Sequence, residues 1–406
     1  IINLLIYNVD PKYIIALTFT RKAAAEMQER LYIRARFMAT TSDKELLQHL
    51  KQIGIDTTSD NVERARNIYE HLLHAQFPVR ITTFHAFCQE ILLRFPLEAN
   101  LPPDFELLET TSTLELEAWQ ALYQQLRMST NTELGDALEF LFNKLDSLSS
   151  TSELVMKFIG SRIDWWAYTH GKNDPVAYAV NRLAKKLQVK PDNVESEEQQ
   201  ISLFLSDLIL DQFSALGKFL KRLNKSYEKK QIEQISLILN ANQALSLRLS
   251  ACQKTLYTLK GDPRNISTAL LKSIGPQDEH KFEQLFATLC DRYQDFSQEL
   301  KRVNVYRLSH AWLTVGNQLL THYQTLKRQR RYLDYADLEW KTCELLNHGE
   351  NAMWIQYKLD QRIDHLLVDE FQDTNPSQWT MLSPLLEELA STQTERLRSV
   401  FLVGDE

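Results

Sequence analysis

Residues 365–374 read HLLVDEFQDT, a short apolar run that ends in three carboxylates and an amide. An apolar run of this length is typical of a strand buried inside a parallel sheet. Ligands of such sheets collect outside the carboxyl ends of the strands. The stretch therefore predicts a buried strand that carries Asp369, Glu370, Gln372 and Asp373 to a ligand site.

Three other segments share this design, in which an apolar, β-branched run ends in polar residues. They are residues 13–20 (YIIALTFT), 79–85 (VRITTFH) and 400–405 (VFLVGD). Strong helix formers follow the first segment, and Asn375 with Pro376 marks a helix start after the acidic residues. The four runs predict an α/β fold built on a parallel sheet that helices cover on both faces.

The middle of the chain has a different character, because helical periodicity dominates there and prolines are few. Within it, residues 150–153 (STSE) predict a capping box at the start of one helix. We therefore expect an α/β core whose first part is residues 1–105 and whose second part is residues 326–406. Residues 106–325 are expected to form a large, all-helical insertion.

Composition narrows the class of protein. The net charge of −7 over 406 residues argues against coating of nucleic acid by bulk charge, although local basic patches can still bind it. The four cysteines form no C-x-x-C pair, which argues against a zinc knuckle or a disulfide framework and favours a reducing, cytoplasmic compartment. No apolar run approaches the roughly 18 residues of a membrane span, so no membrane partner is expected.

The carboxylates after residue 368 suit a magnesium-dependent reaction of phosphates. An aspartate at a strand tip, here Asp369, is a suitable Mg²⁺ ligand, because this ion takes one or two carboxylates besides waters and phosphate oxygens. Glu370 could then accept a proton from an attacking water, and Gln372 could sense the γ-phosphate or that water. The plainer interpretation is an acidic turn in which Asp373 or Asn375 caps the next helix. The apolar run and the complete string favour the first interpretation.

The sequence lacks the phosphate-binding half of an ATP site. A P-loop has the pattern G-x-x-x-x-G-K-[ST], and neither Gly-Lys pair, at 171–172 or 217–218, has a glycine five residues earlier. The chain begins with Ile1 and ends just after an apolar run, so both ends read as cut from something longer. We therefore expect either another function or a first strand and P-loop upstream of Ile1.

Five segments carry a family resemblance: residues 16–31 (ALTFTRKAAAEMQERL), 81–95 (ITTFHAFCQEILLRF), 333–338 (LDYADL), 366–379 (LLVDEFQDTNPSQW) and 401–406 (FLVGDE). In this order they resemble motifs Ia and Ib, an Asp-x-x-Asp-Leu segment, motif II and the start of motif III of UvrD/Rep-type superfamily 1 DNA helicases. Within that group, the sequence is most similar to the AddA/RecB-like helicase–nuclease subunits of double-strand break repair. Residues 85–109 and 354–374 carry that second similarity.

The resemblance implies a RecA-like core, domain 1A, that is incomplete here and is interrupted by a helical domain 1B. It implies a protein that uses ATP and Mg²⁺ to move 3′→5′ on single-stranded DNA. The implied partners are single-stranded DNA, DNA ends and an AddB- or RecC-like subunit. Because the P-loop and motifs IV to VI are absent, the parent protein is expected to be the helicase. Residues 1–406 alone are not expected to hydrolyse ATP at a useful rate.

The resemblance also assigns roles to single residues by motif position. In motif II, Asp369 would hold Mg²⁺, Glu370 would activate water, Gln372 would couple nucleotide state to motion and Asp373 would stabilise the loop. Asp405, at the start of motif III, would belong to the nucleotide site.

Motifs Ia and Ib would contact the DNA strand through Phe19, Thr20, Arg21, Thr83 and His85. These residue types suit the task, because an aromatic face stacks on a base while hydroxyls, arginine and helix N-termini hold phosphates. Each also has a plainer interpretation. Phe19 alternates with Leu17 and could belong to the core, and His85 could be a structural histidine with its hydrogen bonds satisfied.

Other charged residues are interpreted as structural. Asp334 and Asp337 are expected to fix a local turn or cap. The basic run 327–331 is expected to be solvated or to contact phosphates. Two alternatives to the helicase remain: a DNA- or partner-binding module without turnover, and a metal-dependent nuclease that uses Asp369, Glu370 and Asp373.

Overall fold

A computed structural model describes residues 1–102, 104–128, 132–145, 147–191, 196–221, 226–266, 271, 274–348, 351–390 and 397–405. Residues 132 and 226–228 are described by their backbone only. In this part of the chain, no helix is both long enough and apolar enough to cross a membrane.

The strands are β1 (Ile14–Thr18), β2 (Arg80–Thr83), β3 (Glu106–Leu107), β4 (Tyr332–Leu333), β5 (His365–Val368) and β6 (Ser399–Leu402). The α-helices are α1 (Ile2–Ile6), α2 (Arg21–Thr40), α3 (Asp43–Gln52), α4 (Ser59–His74), α5 (Phe84–Arg94), α6 (Ser112–Met128), α7 (Thr132–Leu145), α8 (Leu148–Gly160), α9 (Arg162–Thr169), α10 (Pro175–Leu187), α11 (Glu197–Phe204), α12 (Asp207–Lys221), α13 (Ser226–Leu239), α14 (Leu245–Leu256), α15 (Pro276–Arg330), α16 (Tyr335–Asn347), α17 (Ala352–Asp360) and α18 (Pro376–Ala390).

Two parallel sheets form, one of four strands in the order β2-β1-β5-β6 and one of β3 with β4. In the larger sheet, Thr18 lies opposite Thr83, Leu17 opposite Val368, and Val368 opposite Leu402. The four strands therefore end at one edge. The four apolar runs predicted these four strands, and the predicted α/β fold with a parallel sheet is confirmed.

Both faces of β1 are buried, because successive residues of a strand point to opposite sides. Ile15 and Leu17 pack into a core that includes residues of α5, α16 and α18. Ile14 packs into a second core that includes residues of α2, α3 and α4. Every residue of β1 is fully buried.

Helices begin close to the ends of these strands, and short polar side chains cap them. The Oγ1 atom of Thr20 accepts a hydrogen bond from the Ala23 N–H at 3.0 Å at the start of α2. The Oδ1 atom of Asn375 accepts one from the Gln378 N–H at 2.8 Å at the start of α18. The helix start predicted from Asn375 and Pro376 is confirmed.

The capping box predicted over residues 150–153 is wrong. Helix α8 already begins at Leu148, and the Oγ atom of Ser147 accepts a hydrogen bond from the Ser150 N–H at 3.3 Å. A serine three residues before the predicted cap therefore takes its place, since either serine satisfies the same rule.

The chain divides into two compact units, which we describe separately. Unit 1 comprises Ile1–Ala121, Gly160–Asp164 and Leu320–Glu406, and it contains both sheets. Unit 2 comprises Leu122–Ile159 and Trp165–Leu319. Among its described residues, the regular elements of unit 2 are helices joined by turns and loops, with one isolated bridge between Tyr257 and Pro263. The predicted helical insertion is therefore confirmed, while its boundaries at 106 and 325 stay a prediction.

Unit 2 has an aromatic cluster built around Phe158, whose ring centroid lies 5.2 Å from that of Trp165 and 5.1 Å from that of Trp312. Gly316 allows this packing, because a Cβ atom there would lie only 2.5 Å from the Phe158 Cγ atom. A larger residue at 316 would force the Phe158 ring out of its place.

A buried ionic network stabilises the start of α16 in unit 1. The Lys327 side chain is only 1% exposed, and its Nζ atom donates to Asp334 Oδ2 at 2.9 Å and to Asp337 Oδ2 at 2.5 Å. The Tyr323 hydroxyl also donates to Asp334 Oδ2, at 2.7 Å, and Arg162 donates to Asp334 Oδ1. Lys327 is thus a core residue, and the expectation that it is solvated or binds phosphate is wrong.

Asp334 and Asp337 form a reciprocal capping box. The Asp337 N–H donates to Asp334 Oδ1 at 3.1 Å, and the Asp334 N–H donates to Asp337 Oδ2 at 3.2 Å. Their predicted role as local caps is confirmed. The last two arginines of the basic run also have acidic partners, because Arg330 pairs with Glu117 and Arg331 pairs with Asp104.

All four cysteines are free, in agreement with a spacing that argues against a disulfide framework, and all four are buried. Burial raises the pKa of the Cys88 and Cys252 thiols to about 12 and that of Cys290 to about 11. Burial also raises the pKa of Cys343.

The network predicts how the stability of Asp334→Asn depends on pH. Burial alone would raise the pKa of Asp334, but Lys327 and Arg162 outweigh it and hold the pKa at about 2, below the ordinary value of 3.8. The contribution of this carboxylate is therefore complete above about pH 4 and is lost as the pH falls towards 2. At neutral pH the variant should lose roughly 3–5 kcal/mol, the usual cost of removing one partner of a buried ion pair.

Urea unfolding between pH 7 and the lowest pH at which the protein stays folded checks this. The difference in the free energy of unfolding between the wild type and Asp334→Asn should shrink below pH 4. The control is Asp104→Asn, which removes the exposed partner of Arg331 and should have a small effect at every pH. If the difference in the free energy of unfolding between the wild type and Asp334→Asn stayed constant with pH, the lowered pKa of Asp334 would be contradicted.

Candidate functional site

The acidic turn, residues 369–373, begins where β5 ends. The Asp369 N–H donates to the carbonyl of Leu17 at 2.9 Å, so the sheet holds the backbone of Asp369 although the strand ends at Val368. The side chain of Asp369 is half-buried. It therefore lies at the carboxyl edge of the sheet, as the sequence predicts.

Glu370 has an unusual backbone. Its φ of 53° and ψ of 43° lie in the left-handed region, which costs a residue with a Cβ atom about 1–2 kcal/mol. One turn of 3-10 helix, Phe371–Asp373, follows, and the Asp373 N–H donates to the Glu370 carbonyl at 2.9 Å. The exposed carboxylate of the predicted base thus stands on a strained backbone, a feature that occurs often at functional sites.

Gln372 joins the acidic turn to the segment that follows β6. Its Nε2 atom donates to Glu370 Oε2 at 2.5 Å, and its Oε1 atom accepts from the Asp405 N–H at 3.1 Å. Gln372, Asp373 and Asp405 are exposed. The structure therefore brings the predicted residues of motifs II and III together, with the Asp405 contact made through its backbone. Glu406 lies outside the described residues.

Gly404 lies so close to the turn that a side chain there would displace the amide of Gln372. A Cβ atom at this position would lie 2.6 Å from Gln372 Oε1 and 3.1 Å from Gln372 N. The same approach is held by a backbone hydrogen bond of 2.7 Å from the Phe371 N–H to the Val403 carbonyl. The glycine therefore lets the backbone after β6 reach the side chain of Gln372.

The carboxylates allow a simple magnesium site but not a protein-only cage. Among the described residues, no three His, Cys, Asp or Glu side chains come together as metal ligands. Mg²⁺ is often held by one or two carboxylates, with waters and phosphate oxygens completing its shell. Asp369, half-buried at the sheet edge, fits that pattern. In contrast, Glu370 already holds Gln372.

Four of the five residues predicted to bind DNA line one cavity of about 210 Å³, which we call the His85 cavity. Its lining residues are Phe19, Arg21, Thr83, His85, Ala86, Gln89, Leu107 and Tyr335. The fifth predicted residue, Thr20, is exposed and is the cap of α2. Residues from two motifs that are more than 60 positions apart in the sequence thus meet at the ends of the adjacent strands β1 and β2.

The aromatic and basic members of the cavity remain accessible. The ring of Phe19 is half-buried, packs 5.1 Å from the ring of Phe84 and still lines the cavity. The side chain of Arg21 is 80% exposed and donates to the exposed Glu109 at 3.0 Å. A surface pair of this kind is weak, so Arg21 can exchange it for a phosphate.

Thr83 serves the backbone. It is buried, and its Oγ1 atom accepts from the Ala86 N–H at 3.2 Å at the start of α5. The hydroxyls of Thr20 and Thr83 are therefore occupied as helix caps. At these two positions a phosphate could instead bind to the backbone N–H groups at the N-terminal ends of α2 and α5.

His85 has two partners that the sequence did not indicate. Its Nε2 atom lies 2.9 Å from Glu339 Oε1, and its ring centroid lies 4.7 Å from that of Tyr335. Tyr335 and Glu339 are four residues apart, so they share one face of α16. The cap at Asp334 already placed both residues on a helix, but the sequence could not show that this face meets His85.

Glu339 is a buried carboxylate that three side chains keep charged. Burial would raise its pKa, but hydrogen bonds from His85, Gln378 and Asn375 outweigh that effect and leave the pKa below its ordinary value. Gln378 Nε2 donates to Oε1 at 2.7 Å, and Asn375 Nδ2 donates to Oε2 at 3.2 Å. The plainer interpretation of His85, a histidine with a structural partner, therefore holds together with its place in the cavity.

Comparisons with known proteins point in one direction. All 406 residues match the model of the UvrD/REP helicase N-terminal domain family. Three relatives share a name that identifies each of them as one subunit of an ATP-dependent helicase/nuclease. The protein of Pediococcus pentosaceus is 25% identical over all of this chain and 32% of its own length. That of Enterococcus faecalis is 24% identical over 98% of this chain and 31% of its own length. That of Latilactobacillus sakei is 24% identical over all of this chain and 45% of its own length. The chain thus spans from about a third to just under half of these relatives.

The left-handed backbone of Glu370 predicts an unusual order of stability among variants. Glu370→Gly should be more stable than Glu370→Ala by up to about 1 kcal/mol, because alanine keeps the Cβ atom that causes the strain. Glu344 is the control, since it lies in the interior of α16, where alanine should be favoured over glycine by about 1 kcal/mol. Urea unfolding of the four variants checks both orders. If the alanine variant were more stable than the glycine variant at position 370 as well as at position 344, the strained conformation of Glu370 would be contradicted.

Proposed function

The chain belongs to the UvrD/REP helicase N-terminal domain family, and we propose from this that it supplies the ATP-hydrolysing and strand-binding core of a DNA helicase that acts in double-strand break repair. One observation carries the proposal: a single edge of the parallel sheet holds both candidate sites. The acidic turn follows β5, while Phe19 and Thr83 of the His85 cavity lie at the ends of β1 and β2. Adjacent β-strands thus bring the acidic turn, the candidate nucleotide site, close to the His85 cavity, the candidate site for a DNA strand.

We propose the following roles in ATP hydrolysis. Asp369 would hold Mg²⁺, and the ion would supply positive charge to the phosphates of ATP. Glu370 accepts a proton from the attacking water through its exposed carboxylate. Gln372, which hydrogen-bonds Glu370 and the backbone of Asp405, passes a change at the nucleotide to the segment after β6. Asp373 supports the turn through its backbone hydrogen bond to Glu370.

The other half of the nucleotide site is proposed to come from outside residues 1–406. No G-x-x-x-x-G-K-[ST] pattern occurs in them, so they lack the backbone N–H groups and lysine that hold phosphates in this kind of site. We therefore expect these residues alone to turn over ATP very slowly. The whole protein would move 3′→5′ on single-stranded DNA.

We also propose a partner. The relatives are named as one subunit of a helicase/nuclease, which supports DNA ends as the place of action and an AddB- or RecC-like protein as the partner. The chain matches only part of these relatives, so these are proposals about the complete gene product.

The first test is ATP turnover by the complete gene product with and without single-stranded DNA. DNA should stimulate turnover in the wild type. Glu370→Gln should abolish the stimulated rate, because an amide cannot accept the proton of the water. Glu344→Gln on α16, a partly exposed position, is the matched control and should keep the wild-type rate. Residues 1–406 expressed alone should show almost no turnover.

Other outcomes of the same experiment identify the alternatives. Stimulated turnover that survives in Glu370→Gln would refute the assignment of the base. DNA binding without any turnover by the complete gene product would identify a non-catalytic binding module. Cleavage of DNA with Mg²⁺ but no ATP, lost in Glu370→Ala, would identify a nuclease centred on the acidic turn.

The second test concerns Phe19. Phe19→Ala should weaken binding of a fluorescent oligodeoxythymidine by about 1–3 kcal/mol, the range for a base stacked on an aromatic ring. Fluorescence anisotropy measures the dissociation constant. Phe37→Ala is the control, because Phe37 is an exposed aromatic residue of α2, the helix that follows Phe19, and does not line the cavity. Equal binding by Phe19→Ala and the wild type would return Phe19 to the core as a purely structural residue.

A further inference from the structure

The buried carboxylate of Glu339 connects the His85 cavity to the segment that carries the acidic turn. Its side chain is only 7% exposed, and it holds one group on the cavity side and two on the other. The cavity-side group is His85 Nε2, at 2.9 Å from Oε1. The other two are the side-chain amides of Gln378 and Asn375, at 2.7 and 3.2 Å.

Asn375 and Gln378 are not independent of each other. The Gln378 N–H donates to Asn375 Oδ1 at 2.8 Å, and the Asn375 N–H donates to Gln378 Oε1 at 3.2 Å. Together they close the first turn of α18. Asn375 comes two residues after Asp373, the last residue of the acidic turn. A carboxylate bound to this cap is therefore bound to the chain segment that ends the turn.

On the cavity side, Glu339 fixes the orientation of His85. Because the carboxylate accepts from Nε2, this nitrogen carries the hydrogen, and Nδ1 is left to interact with a ligand. The ring also packs 4.7 Å from Tyr335 and keeps about a third of its surface exposed. His85 is thus positioned from behind by α16 while it lines the cavity.

The burial of Glu339 makes the connection energetically significant. A buried carboxylate needs its hydrogen-bond donors, and losing one costs more than a surface bond would. One of the three donors, His85, belongs to the cavity. A DNA strand that moves the imidazole therefore changes the strength of the hydrogen bonds between Glu339 and its other two donors. These two donors, Asn375 and Gln378, form the cap of α18.

We propose that Glu339 is a positioning residue that orients His85 towards a bound DNA strand and links strand binding to the acidic turn through the Asn375–Gln378 cap. The proposal rests on the proposed function, since it assumes DNA at the His85 cavity and ATP at the acidic turn. It adds a residue outside the motifs that carried the family resemblance, and a route between the two sites.

The test is ATP turnover by the complete gene product over a range of oligodeoxythymidine concentrations. Glu339→Gln keeps the shape of the side chain but replaces one acceptor oxygen by a donor, so it cannot hold all three partners. The DNA concentration for half-maximal stimulation should rise about tenfold or more. The maximal stimulated rate should fall, while the ATP concentration for half-maximal turnover should stay the same. General loss of structure would change both concentrations.

Two further comparisons sharpen the test. Glu344→Gln, the same substitution at a partly exposed position of α16, should behave as the wild type. His85→Ala should raise the half-stimulating DNA concentration as Glu339→Gln does. The double variant should need no more DNA for half-maximal stimulation than His85→Ala, because Glu339 affects DNA binding through His85. Should Glu339→Gln fail to fold, His85→Gln replaces it. His85→Ala removes a donor from Glu339 and should lower the maximal stimulated rate. His85→Gln keeps a donor for Glu339, so it should preserve that rate.

Several outcomes would overturn the inference. They are a Glu339→Gln protein that equals Glu344→Gln, a fully additive double variant, and a His85→Gln protein whose maximal rate falls as far as that of His85→Ala. Failure of the proposed function looks different. In that case the wild type shows no DNA-stimulated turnover, or Glu370→Gln retains it, whatever the state of Glu339.

Discussion

The fold depends on one constraint, the burial of β1 on both of its faces. A strand enclosed in this way can carry no exposed polar side chain along its length, so the polar residues can only follow its end. The same holds to a lesser degree for its neighbours β2 and β5. Because all of these strands are parallel and end in register, their polar residues emerge at one edge. The concentration of candidate chemistry at this edge is thus a direct result of packing.

Much of this arrangement could be predicted from the sequence, because it depends on local patterns. Apolar runs located the four strands of the larger sheet, and Asn375 with Pro376 located a helix start. The resemblance to motifs Ia and Ib, and no local pattern, indicates Phe19, Thr83 and His85 as DNA-binding residues, and the structure places them at the carboxyl ends of β1 and β2. The capping box over residues 150–153 failed for the same local reason, since Ser147 satisfies the rule equally well.

What the sequence could not show depends on partners far apart in the chain. Lys327 looks like one member of a solvated basic run, yet it is buried because Asp334 and Asp337 surround its ammonium group. Glu339 looks like an ordinary helix-surface glutamate. It becomes part of the site only because α16 packs beside α5, which brings it within 2.9 Å of His85, 254 positions earlier in the sequence. Long-range pairs of this kind leave no periodic pattern.

Structural and functional interpretations of a residue also need not exclude each other. Phe19 packs on Phe84 and still lines the cavity. His85 has a buried partner and still keeps part of its ring exposed. A surface made of such residues is held in shape before any ligand arrives, which reduces the entropy lost on binding.

The buried cysteines give the protein a property of practical use. The thiolate is the form that reacts with maleimides and iodoacetamide, and burial suppresses it at all four positions. The natural cysteines of the folded chain should therefore react slowly with such reagents. A dye would then attach selectively to a cysteine introduced at the surface. Two of the natural thiols, Cys88 and Cys343, lie in unit 1, and the other two, Cys252 and Cys290, lie in unit 2. Once labelling of each pair is resolved by mass spectrometry, its rate measures how often that unit opens, independently of the other.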